Sequence, residues 1–190
     1  MPLEIEIKLK VESHEQVRAR LGDLRAEHGG MARETNIFFD RPDGSLRKAD
    51  SGLRVRVTRS AADPVPRALL TFKGPAAAAG LRSREAFDVR VAPEEQVAPL
   101  LEALGFREVL RFEKDRDSWR VGGCLVELDT LPGLGCFLEI EGPSEEAVRG
   151  VQGQLGLAEL APGRASYSQM VAEYLERAAR GEKNLRFAGG

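Results

Sequence analysis

The stretch from Leu3 to Val11, Leu-Glu-Ile-Glu-Ile-Lys-Leu-Lys-Val, alternates apolar and charged residues without a break. Successive side chains of a strand point to opposite faces, so Glu4, Glu6, Lys8 and Lys10 share one side and Leu3, Ile5, Ile7, Leu9 and Val11 the other. A strand at a protein surface commonly shows water such a polar face. Two carboxylates followed by ammonium groups also suit a divalent cation beside an anion, because Mg2+ prefers oxygen ligands and usually keeps substrate phosphates in its shell. On this strand alone both readings stand.

The alternation recurs along the chain. Arg54 and Arg56 oppose Leu53, Val55 and Val57 after the turn Asp50-Ser51-Gly52, and Leu69, Thr71 and Lys73 share a face in the strand Ala68 to Lys73. From Arg82 to Val91, Arg84, Ala86, Asp88 and Arg90 lie opposite Glu85, Phe87, Val89 and Val91. Val109 to Val121 carries Lys114 and Arg116 on one face and Trp119 on the other. Gly122-Gly123 then turns the chain into Cys124 to Thr130, where Glu127 and Asp129 alternate with Val126 and Leu128. In Phe137 to Glu141, Glu139 and Glu141 share a face against Leu138 and Ile140. Thr35 to Asp40 is a further strand, closed by the turn Arg41-Pro42-Asp43-Gly44, and the Pro-rich run Ala61 to Arg67 reads as a hairpin loop.

Between the strands lie amphipathic segments. Ser13 and Gln16 open a helix that carries Val17, Leu21 and Leu24 as far as Gly29-Gly30. Pro93 starts a second, with Val97, Leu100, Leu101 and Leu104 before Gly105; Ser144 caps a third and Ser166 a last one with Met170, Val171, Tyr174 and Leu175. A single domain over residues 1–180 is expected, with 181–190, poor in apolar anchors, as a disordered tail.

Composition narrows the function classes. With 28 basic and 30 acidic residues the net charge is −2, which argues against broad, sequence-independent binding of nucleic acid. No apolar run reaches membrane-spanning length and no apolar leader is visible, so a cytoplasmic location without membrane partners is expected. Cys124 and Cys136 lack a metal-type spacing and read as ordinary reduced residues, and His14 and His28 as isolated surface side chains.

Most strands therefore have a charged face and an apolar face, and each helix needs an apolar surface to cover. A sheet closed on itself places the charges in a wet interior, the apolar faces outside under the helices, and leaves no free edges. Confined like charges are costly unless an opposite charge joins them, so such an interior implies a ligand. Arg54, Arg56, Lys73, Lys114 and Arg116 suit phosphoryl oxygens, and Glu4, Glu6, Glu139 and Glu141 suit Mg2+ or Mn2+ ions bridging them. A triphosphate with metal fits this set better than a monophosphate.

The residues resemble the CYTH family of class IV adenylyl cyclases and thiamine triphosphatases, the triphosphate tunnel enzymes. The resemblance runs from about Leu3 to Leu175. It begins with Glu4-Ile5-Glu6-Ile7-Lys8, continues through Leu53-Arg54-Val55-Arg56, Thr71-Phe72-Lys73-Gly74-Pro75 and Glu113-Lys114-Asp115-Arg116, and ends with Leu128-Asp129, Gly133 to Glu141 and Ser166-Tyr167. It implies an α+β fold: a closed eight-stranded antiparallel β-barrel with helices packed outside. It implies that Glu4, Glu6, Glu139 and Glu141 bind metal, that Lys8, Arg54, Arg56, Lys73, Lys114 and Arg116 hold phosphate, and that Arg84 contacts phosphate. Asp129 matches an acidic position that serves as a metal ligand or as partner of a basic residue. Lys8, Glu6 and Glu139 stand as catalytic candidates. Ala86 departs from a glutamate common in relatives, with Asp88 as its substitute. Tyr167 reads as a residue packed on the barrel mouth, and Trp119 as outward-facing core.

The chemistry expected is phosphoryl or nucleotidyl transfer on a small-molecule triphosphate, with a homodimer left open. Hydrolysis of a nucleoside triphosphate, tripolyphosphate or thiamine triphosphate is the first reading. Cyclisation of ATP to cyclic AMP and pyrophosphate is the second, and a non-catalytic polyphosphate-binding module the third.

Overall fold

The computed structural model describes residues 3–75, 82–92, 94–178 and 183–188. The strands are β1 (Leu3–Val11), β2 (Glu27–Asp40), β3 (Gly52–Ser60), β4 (Asp63–Lys73), β5 (Arg82–Val91), β6 (Arg107–Val121), β7 (Cys124–Leu131), β8 (Gly135–Gly142) and the short β9 (Asn184–Leu185). The helices are α1 (Glu15–Asp23), α2 (Ser45–Lys48), α3 (Val97–Ala103), α4 (Glu145–Gln154) and α5 (Tyr167–Arg177). The strands pair in the order β2-β3-β4-β5-β1-β8-β7-β6, and a long antiparallel ladder between β2 and β6 closes the ring. The closed eight-stranded antiparallel barrel is the expected fold.

The ladders keep the alternation in phase round the ring. Lys8 stands opposite Glu139, Glu6 opposite Glu141, Arg116 opposite Asp129, Lys114 opposite Glu34, Asn36 opposite Arg56 and Arg54 opposite Thr71. A slip of one residue anywhere would turn a charged row into the apolar shell, so the pattern pins the register. Outside, α1 and α4 cover Ile7, Leu9, Val126, Leu128, Leu138 and Ile140, and α3 covers Ile37, Phe39, Val55 and Val57.

The third apolar cluster lies across one mouth of the barrel. The lumen-facing rows of β6, β7 and β8 become apolar there, at Leu110, Phe112, Leu131 and Phe137, and α5 lays Tyr167, Val171 and Leu175 over them. The Ser166 side chain accepts from the Gln169 amide while the Gln169 side chain accepts from the Ser166 amide, a reciprocal cap that fixes where α5 begins.

Several local expectations differ from what is observed. α1 ends at Asp23, and Gly29-Gly30 belong to β2, where the ladder to β6 shifts between His28 and Gly30; Gly30 has φ 104°, which favours glycine. The Pro-rich run is mostly strand, since β4 already starts at Asp63. His14 is buried, its Nε2 2.9 Å from the Phe137 carbonyl, whereas His28 pairs with Asp117 at 2.7 Å. Residues 183–188 do not form the expected structureless tail: β9 pairs with β6 and Leu185 is buried beside Phe112 and Leu175, an anchor of one apolar residue that the charged run concealed. Among the described residues no helix is long and apolar enough to cross a membrane.

Candidate functional site

The lumen opens into a cavity of about 680 Å3 lined by residues of β1 to β8, α2 and α5. Its walls differ in charge. In the ring order β3 stands across from β8 and β4 across from β7, so Arg54, Arg56 and Lys73 look across the lumen toward Glu139, Glu141 and Glu127. Six expected phosphate ligands, Lys8, Arg54, Arg56, Lys73, Lys114 and Arg116, line or border this one space, as do the expected acids Glu6, Glu139 and Glu141. The strands carrying Glu4 and Arg84 place them opposite each other on β1 and β5, but their side chains lie outside the described ones.

Asp129 is the hub of the buried network, with no exposed surface. It accepts from Arg116 Nε and Nη2 at 2.7 and 2.6 Å, from Lys114 Nζ at 3.0 Å and from the Tyr167 hydroxyl at 2.8 Å. Burial alone would raise its pKa; Arg116 and Lys114 outweigh burial and hold the carboxyl far below its ordinary range. The same carboxylate keeps Arg116 charged against burial, with help from Glu127. With four donors on its two oxygens, Asp129 is a counter-ion of the basic residues, the second of the two roles expected for it. Tyr167 packs at the barrel mouth as expected and also reaches the charged network: its ring lies 3.9 Å from Lys8 Nζ and 4.9 Å from Lys114 Nζ, and burial keeps its phenol neutral.

Glu139 is shared between Lys8 Nζ at 3.2 Å and Arg116 Nη2 at 2.6 Å. Glu127, paired with Arg116, is buried strongly enough that its pKa is pushed up to about 7. Sequence reasoning passed over Glu34. It is buried and ion-paired to Arg56 Nη1 at 3.3 Å and Lys114 Nζ at 3.4 Å; burial raises its pKa, but Arg56, Lys114 and Arg116 prevail and hold it near 2. The sign was a lone glutamate two residues before Asn36 in phase with Phe38, inside a strand whose start lay hidden behind the glycine pair.

Arg54 is only partly satisfied by its neighbours among the described residues. Burial, with Arg56 adding to it, pushes its pKa down to about 9, which leaves it charged at neutral pH. One guanidinium nitrogen donates to Thr71 at 3.4 Å, while the buried Nε has no hydrogen-bond partner among the described residues, and neither has the Asn36 amide nitrogen. Such donors cost free energy until an acceptor meets them, and oxyanions offer acceptors. Thr71 in turn donates to Asp88 at 2.5 Å, which puts the expected substitute acid of β5 on the cavity wall.

Glu6 and Glu141 are the residues that could hold a divalent cation. Glu6 and Glu141 are direct cross-strand neighbours, with Glu139 two residues from Glu141 on the same face. No three His, Cys, Asp or Glu side chains gather into a ready-made cage among the described residues. Mg2+ is usually held by one or two carboxylates together with substrate phosphates.

Comparison with known proteins agrees with this geometry. Residues 2–156 match the CYTH domain family. A Methanocaldococcus jannaschii protein, provisionally named an adenylate cyclase, is 29% identical over 139 residues, 73% of this chain and 76% of its own length. The solved structure of the PH1819 protein of Pyrococcus horikoshii superposes with a TM-score of 0.77 at 27% identity, covering 90% of this chain and 99% of the other. A Hippeastrum protein, a provisionally assigned adenylyl cyclase described as having a dominant triphosphatase activity, shares the fold at a TM-score of 0.68 and 21% identity, over 94% of this chain and 96% of its own.

Proposed function

The chain belongs to the CYTH family, and from that premise we propose that it is a divalent-metal-dependent enzyme that hydrolyses the phosphoanhydride of a triphosphate substrate. The observation that carries the reading is the buried, unpartnered Nε of Arg54 on a basic wall that looks across a closed lumen at a row of carboxylates. A chain of phosphates placed between the walls meets guanidinium and ammonium donors on one side. The acids and bases lining the lumen nearly balance, so a polyanion needs accompanying cations.

In this reading Arg54, Arg56 and Lys73 hold phosphoryl oxygens, and Lys8, Lys114 and Arg116 are aimed by Glu139, Asp129 and Glu34. Fixed donors of this kind favour the charge that builds on the transferring phosphoryl group without reorganising as it builds. Water attacks the terminal phosphorus in line, the bridging P–O bond breaks, and phosphate and the diphosphate product leave. Glu6 and Glu141 would hold Mg2+ or Mn2+, with Glu139 beside them, and the ion supplies charge neutralisation at the phosphate oxygens.

Cyclisation of ATP is a second reading, favoured by the adenylate cyclase name of the M. jannaschii relative. Both reactions use the same lumen and differ in which phosphorus meets the nucleophile. Incubation with ATP, tripolyphosphate and thiamine triphosphate under Mg2+ and Mn2+, with cyclic AMP and phosphate both measured, separates them. Phosphate without cyclic AMP is the expected result. Cyclic AMP as the main product overturns it in favour of the cyclase.

A further inference from the structure

The seam between β1 and β5 is short. It runs only from Leu3 opposite Glu85 to Glu6 opposite Arg82. Beyond it β5 continues from Ala86 to Val91, paired with β4 on one side and, among the described residues, with no strand on the other. Phe87 and Val89 are 47% and 57% exposed, and Asp88 and Arg90 are exposed as well, so both faces of this half-strand meet solvent.

One hydrogen bond tells which backbone groups face the open edge. The Gly74 amide donates to the Glu85 carbonyl at 2.9 Å, so Glu85 turns its backbone groups toward β4. The N–H and C=O of one strand residue point to the same side, and successive residues alternate. Phe87, Val89 and Val91 therefore face β4, while Ala86, Asp88 and Arg90 present their N–H and C=O groups to the open edge.

An open edge is a template for another strand, and proteins commonly blunt it with charges. Here Asp88 and Arg90, which carry the free backbone groups, have opposite signs. With a second β5 laid antiparallel to the first and the twofold axis at Val89, Asp88 stands opposite Arg90 of the second copy and Arg90 opposite its Asp88. Both are hydrogen-bonded pairs in that register, each exchanging two backbone bonds. On the outer face Phe87 meets Val91, and Val89 meets Val89. An axis at Asp88 or at Arg90 sets like charge against like. We propose that this edge is an interface between two copies of the chain, β5 against β5 across a twofold axis at Val89. Such an interface uses the same patch on both copies and closes at two. It joins the two barrel walls into one sheet and covers Phe87 and Val89, which stand exposed in the single chain.

The test is sedimentation equilibrium over a range of concentrations for the native protein, Arg90→Glu and Arg90→Pro, with circular dichroism to verify the fold of each. The native protein should reach twice the mass of the chain. Arg90→Glu sets acid against acid at two places, so the dissociation constant should rise about tenfold or more. Arg90→Pro removes an N–H that points to the open edge and spares the ladder to β4, so it should give a folded monomer. Where the proline variant folds poorly, the glutamate variant still decides. Val89→Cys tests the register. At the axis the two Cα atoms lie about 4.5 Å apart, within reach of a disulfide, and oxidation with diamide should link the copies. Position 87 lies about 13 Å from its counterpart in this register, so Phe87→Cys should not link. The native protein, in which Cys124 is buried and Cys136 half-buried, gives the background. A monomer at every concentration overturns the proposal. So does a dimer that neither Arg90 variant weakens, or one that links through Phe87→Cys and not through Val89→Cys.

Discussion

Two buried charged side chains with opposite circumstances explain how the lumen is both stable and receptive. Glu34 is compensated by Arg56 and Lys114, and its carboxyl is held near 2 against an ordinary 4.5. A carboxyl with a lowered folded-state pKa contributes stability that is complete above its unfolded value and disappears as pH falls through the folded one. Thermal stability should therefore decline between pH 4.5 and about 2. Glu34→Gln should flatten that part of the Tm profile and cost about 3 kcal/mol at neutral pH, since it takes from Arg56 its carboxylate partner and from buried Lys114 one of two. An unchanged profile in circular dichroism melts would remove Glu34 from that role. Arg54 Nε has no partner among the described residues, so Arg54→Ala should raise KM for a triphosphate at least tenfold while leaving stability within about 1 kcal/mol of native or above it. Normal kinetics in that variant would refute its place at the phosphates.

At the level of the elements, α5 acts as the closure of one barrel mouth. Its capping box sets the first turn so that Tyr167 enters the lumen, touches Lys8 and Lys114 and donates to Asp129. Ser166→Ala removes the acceptor for the Gln169 amide and should cost about 1 kcal/mol of stability. Because the same turn positions Tyr167, kcat should fall by more than this loss of stability explains at temperatures where the variant is fully folded. A drop in Tm with unaltered kcat would make the cap purely structural. The long β2–β6 ladder has the matching role at the seam, and its bulge at Gly30 lets β2 run past the start of the paired region without losing phase.

For the molecule as a whole, the near balance of acids and bases lining the lumen leads to the expectation that the proposed triphosphate enters with cations. Tripolyphosphate with Mg2+ should raise Tm, by the equivalent of about 3 kcal/mol at a hundredfold excess over Kd. Chelation of the cation should abolish most of the shift. A shift of equal size in EDTA would argue that the basic wall binds phosphate unaided.

The alternation of Leu3 to Val11 and its repeats was sufficient to assign faces, to expect a closed sheet and to gather Glu6, Lys8, Arg54, Arg56, Lys73, Lys114, Arg116, Glu139 and Glu141 into one interior. Period-two patterning is local, and a chain carries it in full. The bulge of β2 at Gly30 escaped notice because it breaks that period, and Glu34 because the glycine pair hid where the strand begins. Which acid meets which base was not legible at all. Asp129 reads equally as metal ligand or counter-ion along the chain, and only the approach of Arg116 and Lys114 from β6 and of Tyr167 from α5 brought out its part as counter-ion. The apolar end of the cavity likewise exists only once β2 and β6 are zipped side by side, because a pocket is a relation between strands far apart in sequence.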